Sequence, residues 1–317
     1  MPIKITRHPC NQLASRILSM FKHLLRAFIV SLFFSVSFGQ AAPLNIVVSV
    51  APQRYLVKTI AADNAEVSIL IAPGQTPATW DPSPQSMATL ASADLLIPIG
   101  VPFEKVWLPR LQAMFPKLKV TQVLDGVALQ SIESHDHGHS HPSHNHDEMM
   151  DPHVWLDPLR CITVGENIAA ALIALDPQHQ EDYTAGLERL RQQLLTTHQN
   201  ISAQLSRFQG RSFMVFHPSW GYFASRYQMK QLAIETSGKE PSGAQLAETA
   251  EFARRNKVRV IFVQEQFSRK AATAIAKQIG ATVAVLDPLA EEIPTALQQT
   301  ADKISTALET PWAQPSH

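Results

Sequence analysis

Residues 178–208 read QHQEDYTAGLERLRQQLLTTHQNISAQLSRF, and their reading decides the fold. Leu187, Leu190, Leu194, Ile201, Leu205 and Phe208 recur at steps of three, four, seven, four and three, so one face of a single helix stays apolar while the rest is polar. No proline interrupts the run. At ~1.5 Å per residue it predicts a rod of roughly 46 Å, long enough to lie along two lobes. Two shorter helices or a dimeric coiled coil share this periodicity, and the unbroken pattern favours the rod.

On either side of the rod, strand and helix patterns alternate. Before it come LNIVVSVAP (44–52), a helical segment from Arg54 to Ala62, VSILIA (67–72), the proline-rich loop PGQTPATWDPSP (73–84), the helix QSMATLASA (85–93) and the strand DLLIPIG (94–100). After it come RSFMVFHP (211–218), AQLAETAEFARRN (244–256), VRVIFVQE (258–265), KAATAIAKQIG (270–280) and TVAVLDP (282–288). Such alternation predicts parallel sheets. The expected class is α/β, two lobes each with a mainly parallel sheet, joined by one long helix. The expected divisions are a leader over 1–41, an N-terminal lobe over 42–177, the linking helix over 178–208 and a C-terminal lobe over 209–317.

The leader is read from AFIVSLFFSVSF (27–38), preceded by Lys22 and Arg26 and followed by Gly39 and Ala41 at the −3 and −1 positions of a cut after Ala41. Twelve apolar residues fall short of the ~20 that span a bilayer, and no second stretch of membrane length is expected after them. The expectation is a cleaved signal peptide and a periplasmic, soluble protein. Lys+Arg 27 balances Asp+Glu 27, which removes the basic face a nucleic-acid binder needs. Cys10 and Cys161 are the only cysteines, and loss of the leader leaves one thiol, so no internal disulfide and no cysteine zinc finger can form.

Six of 13 histidines lie in HDHGHSHPSHNHD (135–147): His135, His137, His139, His141, His144 and His146. With no apolar residue to bury, this segment reads as a disordered loop, spanning about 131–150, inserted in the first lobe. Imidazole suits Zn²⁺, Cu²⁺ and Ni²⁺, so the loop is an auxiliary metal-binding candidate; a plain solvated linker is the alternative.

DPHVWLDP (151–158) follows. Asp157-Pro158 reads as a helix start, with Val154–Leu156 a strand end leading into it and His153 at a lobe edge. FMVFHPSWGYFA places His217, and TVAVLDPLA places Asp287, at the carboxyl ends of second-lobe strands, where ligands of open α/β sheets collect. Two histidines and an aspartate there match a Zn²⁺ or Mn²⁺ ligand set, although each alone also fits a turn or a cap.

From about Leu44 to Ile304, through TWDPSPQSMATLASADLLIPIG, DPHVWLDP, FHPSWGYFA, KEPSGAQLAE, IFVQEQFS and VLDPLA, the chain resembles the zinc/manganese solute-binding proteins of ABC transporters, the cluster A-I metal-binding periplasmic proteins. The resemblance implies a metal in the cleft between two lobes, delivered to a membrane permease by a monomer. A histidine-rich loop marks the zinc-uptake branch. The family's second, third and last ligands fall on His153, His217 and Asp287. Its first histidine falls on Ala78, in Pro77-Ala78-Thr79-Trp80-Asp81-Pro82, and a methyl group donates nothing to a metal. Asp81 or a loop histidine is then an auxiliary candidate.

The expected function is capture of a divalent metal as cargo, Zn²⁺ ahead of Mn²⁺ because His217 adds imidazole to the shell. A periplasmic buffer without a permease, a zinc hydrolase and a carrier of a metal chelate are the alternatives. HExxH and G-x-S-x-G are both absent from the sequence, which counts against catalysis.

Overall fold

The computed structural model describes residues 42–72, 74–132, 150–235, 242–264, 267 and 269–309. The leader and the six loop histidines lie outside the described residues. The first sheet holds β1 (Leu44–Val48), β2 (Ala65–Ile69), β3 (Leu95–Ile97) and β4 (Lys119–Val120), parallel throughout, in the order β2-β1-β3-β4. Parallel neighbours need crossovers, supplied by α1 (Ala51–Ala61), α2 (Pro84–Ala91) and α3 (Pro102–Met114). Ile46, Val47 and Val48 are all buried, the continuous apolar run of a strand covered on both faces.

Helix α4 (Pro158–Leu175) and the linking helix α5 (Gln180–Leu205) follow. The second sheet repeats the first, with β5 (Ser212–Val215), β6 (Lys230–Ala233), β7 (Val260–Val263) and β8 (Thr282–Val285) in the order β6-β5-β7-β8. Its crossovers are α6 (Gly221–Arg226), α7 (Gly243–Arg255) and α8 (Arg269–Ile279), and α9 (Ile293–Glu309) returns to pack on α5.

The linking helix runs over 177–208 as the sequence suggests, but only its middle, α5, is α-helical. Its 26 residues span about 39 Å, and Pro177–His179 and Ser206–Phe208 tighten into 3₁₀ turns at its ends. Tyr183, Gly186, Leu190, Leu194, Thr197, Ile201 and Leu205 form its buried stripe, while Leu187 is half-buried. That stripe is covered by α1, α4 and α9 of the same chain, which leaves no role for a coiled-coil partner. Gly186 allows the closest approach: a Cβ there would stand 2.1 Å from the Ile60 carbonyl oxygen.

Two further expectations need correction. Val154–Leu156 is a 3₁₀ turn, not a strand end, because all three side chains turn into the core and the Trp155 indole N–H donates to the Pro288 carbonyl at 2.6 Å. Helix α4 is long and apolar enough by composition to cross a membrane, against the expectation that no such stretch follows the leader. Its Cys161, Ile162, Val164, Ile168, Ala169 and Leu172 are instead buried within the protein, where α4 packs on α5. The start of α4 is as the sequence implies, with the Asp157 carboxylate accepting the Leu159 N–H at 2.9 Å.

One apolar core runs from the first sheet through α4 and α5 to α9, and a smaller one lies between the second sheet and α7 and α8. Asp157, fully buried, also receives Arg226 of α6 at 2.8 Å and pairs with Arg160, so the start of α4 is tied to the second lobe by charge. Tyr222 adds a neutral tie: its hydroxyl donates to the Asp151 carbonyl at 2.7 Å and accepts the Gln130 N–H at 3.1 Å.

Candidate metal centre

The carboxyl edge of the second sheet sets out the site. Its strand order places Glu235, His217, Gln264 and Asp287 one or two residues beyond the ends of β6, β5, β7 and β8, in that spatial sequence. The edge is ordered past the strands themselves, since Glu235 N–H donates to Phe216 O at 2.9 Å, Phe216 N–H to Phe262 O at 2.8 Å and Leu286 N–H to Val263 O at 3.0 Å.

His217 is held at every side but one. The buried Gln264 amide clamps its peptide group, accepting the His217 N–H at 3.3 Å and donating to its carbonyl at 2.8 Å. Phe267 stacks on the imidazole at 5.1 Å and 18°. The Glu235 carboxylate lies 3.0 Å from its Nδ1.

His153 reaches the same place from the first lobe. Asp151 Oδ1 contacts both its backbone N–H, at 2.9 Å, and its Nδ1, at 2.6 Å, while Trp155 sits edge-on to the ring at 5.3 Å. The two imidazoles meet with centroids 5.6 Å apart at 70°. A linear series results: Asp151, His153, His217, Glu235. The carboxylates are nearly buried, at 3% and 4% exposure, whereas the His153 and His217 side chains keep 13% and 26%.

An ionised carboxylate can only accept, so each contact calls for a hydrogen on Nδ1, and a ring in that neutral tautomer keeps the Nε2 lone pair. In that form the arrangement offers two imidazole donors suited to a divalent transition metal. Asp287 lies in the adjoining turn, half-buried, with Oδ1 accepting the Leu289 N–H at 2.9 Å. Among the described residues no three His, Cys, Asp or Glu side chains are already set around one point. The structure thus brings His153 and His217 into contact and joins the Asp287 turn to them through Trp155 and Pro288.

Ala78 and Asp81 are exposed in the loop before α2, which is anchored by the Trp80 indole donating to Leu70 O at 3.0 Å and packing 4.5 Å from Phe103. Cys161 is no thiolate donor: burial, reinforced by the nearby Asp157 charge, pushes its thiol well above the usual range. Next to Asp151, Ser131 and Met150 form an antiparallel bridge and Asp151 N–H donates to Gln130 O at 2.8 Å.

Sequence reasoning missed Asp151, Glu235, Gln264 and Phe267. An Asp two residues before a His is a local turn signal that was available. Glu235 was hidden because the strand KQLA (230–233) has no β-branched or aromatic residue to mark it, and with it the rule for strand ends points to Glu235 directly.

Known proteins share this architecture. A solved structure described as "Crystal structure of ZnuA" matches with a TM-score of 0.77 and 35% identity, covering 84% of this chain and 99% of that one. The zinc-binding lipoprotein AdcA of Streptococcus pneumoniae is 32% identical over 251 residues, 78% of this chain but 50% of the relative, so the chain spans about half the length of that protein. The high-affinity zinc uptake system protein ZnuA of Bacillus subtilis is 29% identical over 251 residues, 78% of each chain. The family model "ZnuA: Zinc-uptake complex component A periplasmic" matches residues 46–307. Across both lobes and the linking helix, then, the chain belongs to the family of the periplasmic component A of zinc-uptake complexes.

Proposed function

We propose that this protein captures a divalent transition metal, Zn²⁺ ahead of Mn²⁺, in the cleft between its lobes and passes it to an ABC-type membrane permease. The observation that carries this reading is the contact between His153 and His217, one from each lobe, both with Nδ1 occupied and Nε2 left as a donor. Asp287 completes a set of three by turning from its own Leu289 N–H, and water fills the position that Ala78 leaves empty. Paired imidazoles favour zinc over harder ions. The protein binds and releases its cargo unchanged. It acts in the periplasm as a monomer, after removal of residues 1–41. Membership of a zinc-uptake family supports the transport role over a free-standing buffer or a hydrolase.

Competition titration with a chromophoric zinc chelator tests the site. His153→Ala, His217→Ala and Asp287→Ala should each weaken the tight equivalent at least about tenfold, which is ~1.4 kcal/mol. Neutral results at two of the three would place the metal elsewhere.

A further inference from the structure

We propose that Glu235 and Asp151 are positioning residues for the metal: each fixes one histidine as its Nδ1–H tautomer and so presents Nε2 to the ion. This rests on the cleft reading above and goes beyond it, because each carboxylate contacts a histidine Nδ1 and lies outside the proposed ligand set.

Both carboxylates lie deep, where an unpaired charge is costly, and each faces an imidazole edge. Asp151 spends one oxygen on His153 twice over, through the backbone N–H and Nδ1, which fixes the residue and its ring together. Its other oxygen packs close to Gly221: a Cβ there would stand 3.1 Å from Asp151 Oδ2, a tight contact. Glu235 arrives from a different strand, and its N–H bond to Phe216 O seats it beside His217.

A carboxylate on Nδ1 excludes the Nε2–H tautomer, which could not ligate through that nitrogen. With Phe267 stacked on His217 and Trp155 edge-on to His153, ring rotation is also restricted, so the donors need little ordering when metal enters. The same two charges offset that of the incoming dication.

The test uses the full mature chain, with Zn²⁺ competition titration, ¹⁵N NMR of the imidazoles in the metal-free protein, and melting of that protein. Glu235→Ala should weaken zinc about 10–100-fold and release His217 from the Nδ1–H tautomer. Glu235→Gln keeps an acceptor, so it should retain the tautomer and recover most of the affinity. Asp151→Asn carries the same test to His153 and should fall between parent and the alanine variant, even if Glu235→Ala fails to fold. A purely structural role would lower the melting temperature but leave the zinc affinity of folded protein unchanged. Zinc affinity in Glu235→Ala within twofold of the parent, while His217→Ala loses the site, overturns this inference and leaves the cleft reading standing. A parent protein with no His217-dependent zinc overturns both.

Discussion

The indole N–H of Trp155 donates to the carbonyl oxygen of Pro288 at 2.6 Å, and this bond sews the turn that carries His153 to the turn that carries Asp287. Trp155 is almost completely buried, so the bond is shielded from water. Trp155→Phe should leave the Pro288 carbonyl unsatisfied, at a cost of about 1–3 kcal/mol. Chemical denaturation should show that loss, and zinc affinity should fall with it because the Asp287 turn is no longer pinned. A variant with the parent's stability and affinity would mean that the turn is held by other contacts.

Gly186 and Gly165 both sit in helices, where glycine normally costs about 1 kcal/mol relative to alanine. They should nevertheless respond differently. A Cβ at 186 meets the backbone of Ile60 at 2.1 Å, which can yield only if α1 moves, so Gly186→Ala should destabilise by about 1–3 kcal/mol or more. A Cβ at 165 meets the Leu190 side chain at 2.7 Å, which can change rotamer, so Gly165→Ala should lie within about 1 kcal/mol of neutral. Urea midpoints of the two variants measure the difference.

His198, on α5, packs 5.7 Å from the ring of Tyr227, and its Nδ1 is buried without a hydrogen-bond partner among the described residues. Burial lowers its pKa, as does the charge of Arg226, against a weaker upward pull from Asp157. The folded chain therefore binds this proton less tightly than the unfolded chain, where the value is near 6.5. The stability at stake is fully present above that value and is lost as the pH falls below it through the lowered folded value. His198→Gln should flatten this part of the profile: the parent should gain stability relative to the variant on going from pH 5 to 7.5, as read by melting temperature. Parallel profiles would assign the acid sensitivity to other groups.

The sequence made the strand-ending residues His217 and Asp287 legible because the aromatic and apolar run FMVF and the β-branched run TVAV announce β5 and β8, and a proline follows each ligand candidate. The linking helix was legible along its whole run, although local periodicity cannot distinguish a last α turn from the 3₁₀ turns at its ends. Strand β4 has only two residues and β6 (KQLA) has neither a β-branched nor an aromatic one, so neither shows a strand pattern, and their pairing comes from the sheet around them. For that reason Glu235 was invisible. The hydrophobicity of α4 was equally ambiguous, because a helix wrapped by its own protein and one wrapped by lipid need the same residues.

Ala78 stands where the resemblance calls for a histidine. Ala78→His should return a donor to the cleft, tighten zinc binding and reduce its sensitivity to competing small ligands, since a protein donor does not exchange as water does. Isothermal titration with and without a weak chelator reads both effects. Unchanged affinity would mean that Asp81 or another donor already fills the position.

The most direct measurement is anomalous diffraction at the zinc edge from crystals of the zinc-loaded mature protein. The account predicts one strong peak within about 2.0–2.1 Å of Nε2 of both His153 and His217, with an Asp287 oxygen at about 2.0–2.2 Å, and the Nδ1 contacts to Asp151 and Glu235 retained. A cleft without a zinc peak, or a peak at Nδ1 with the carboxylates displaced, would contradict it.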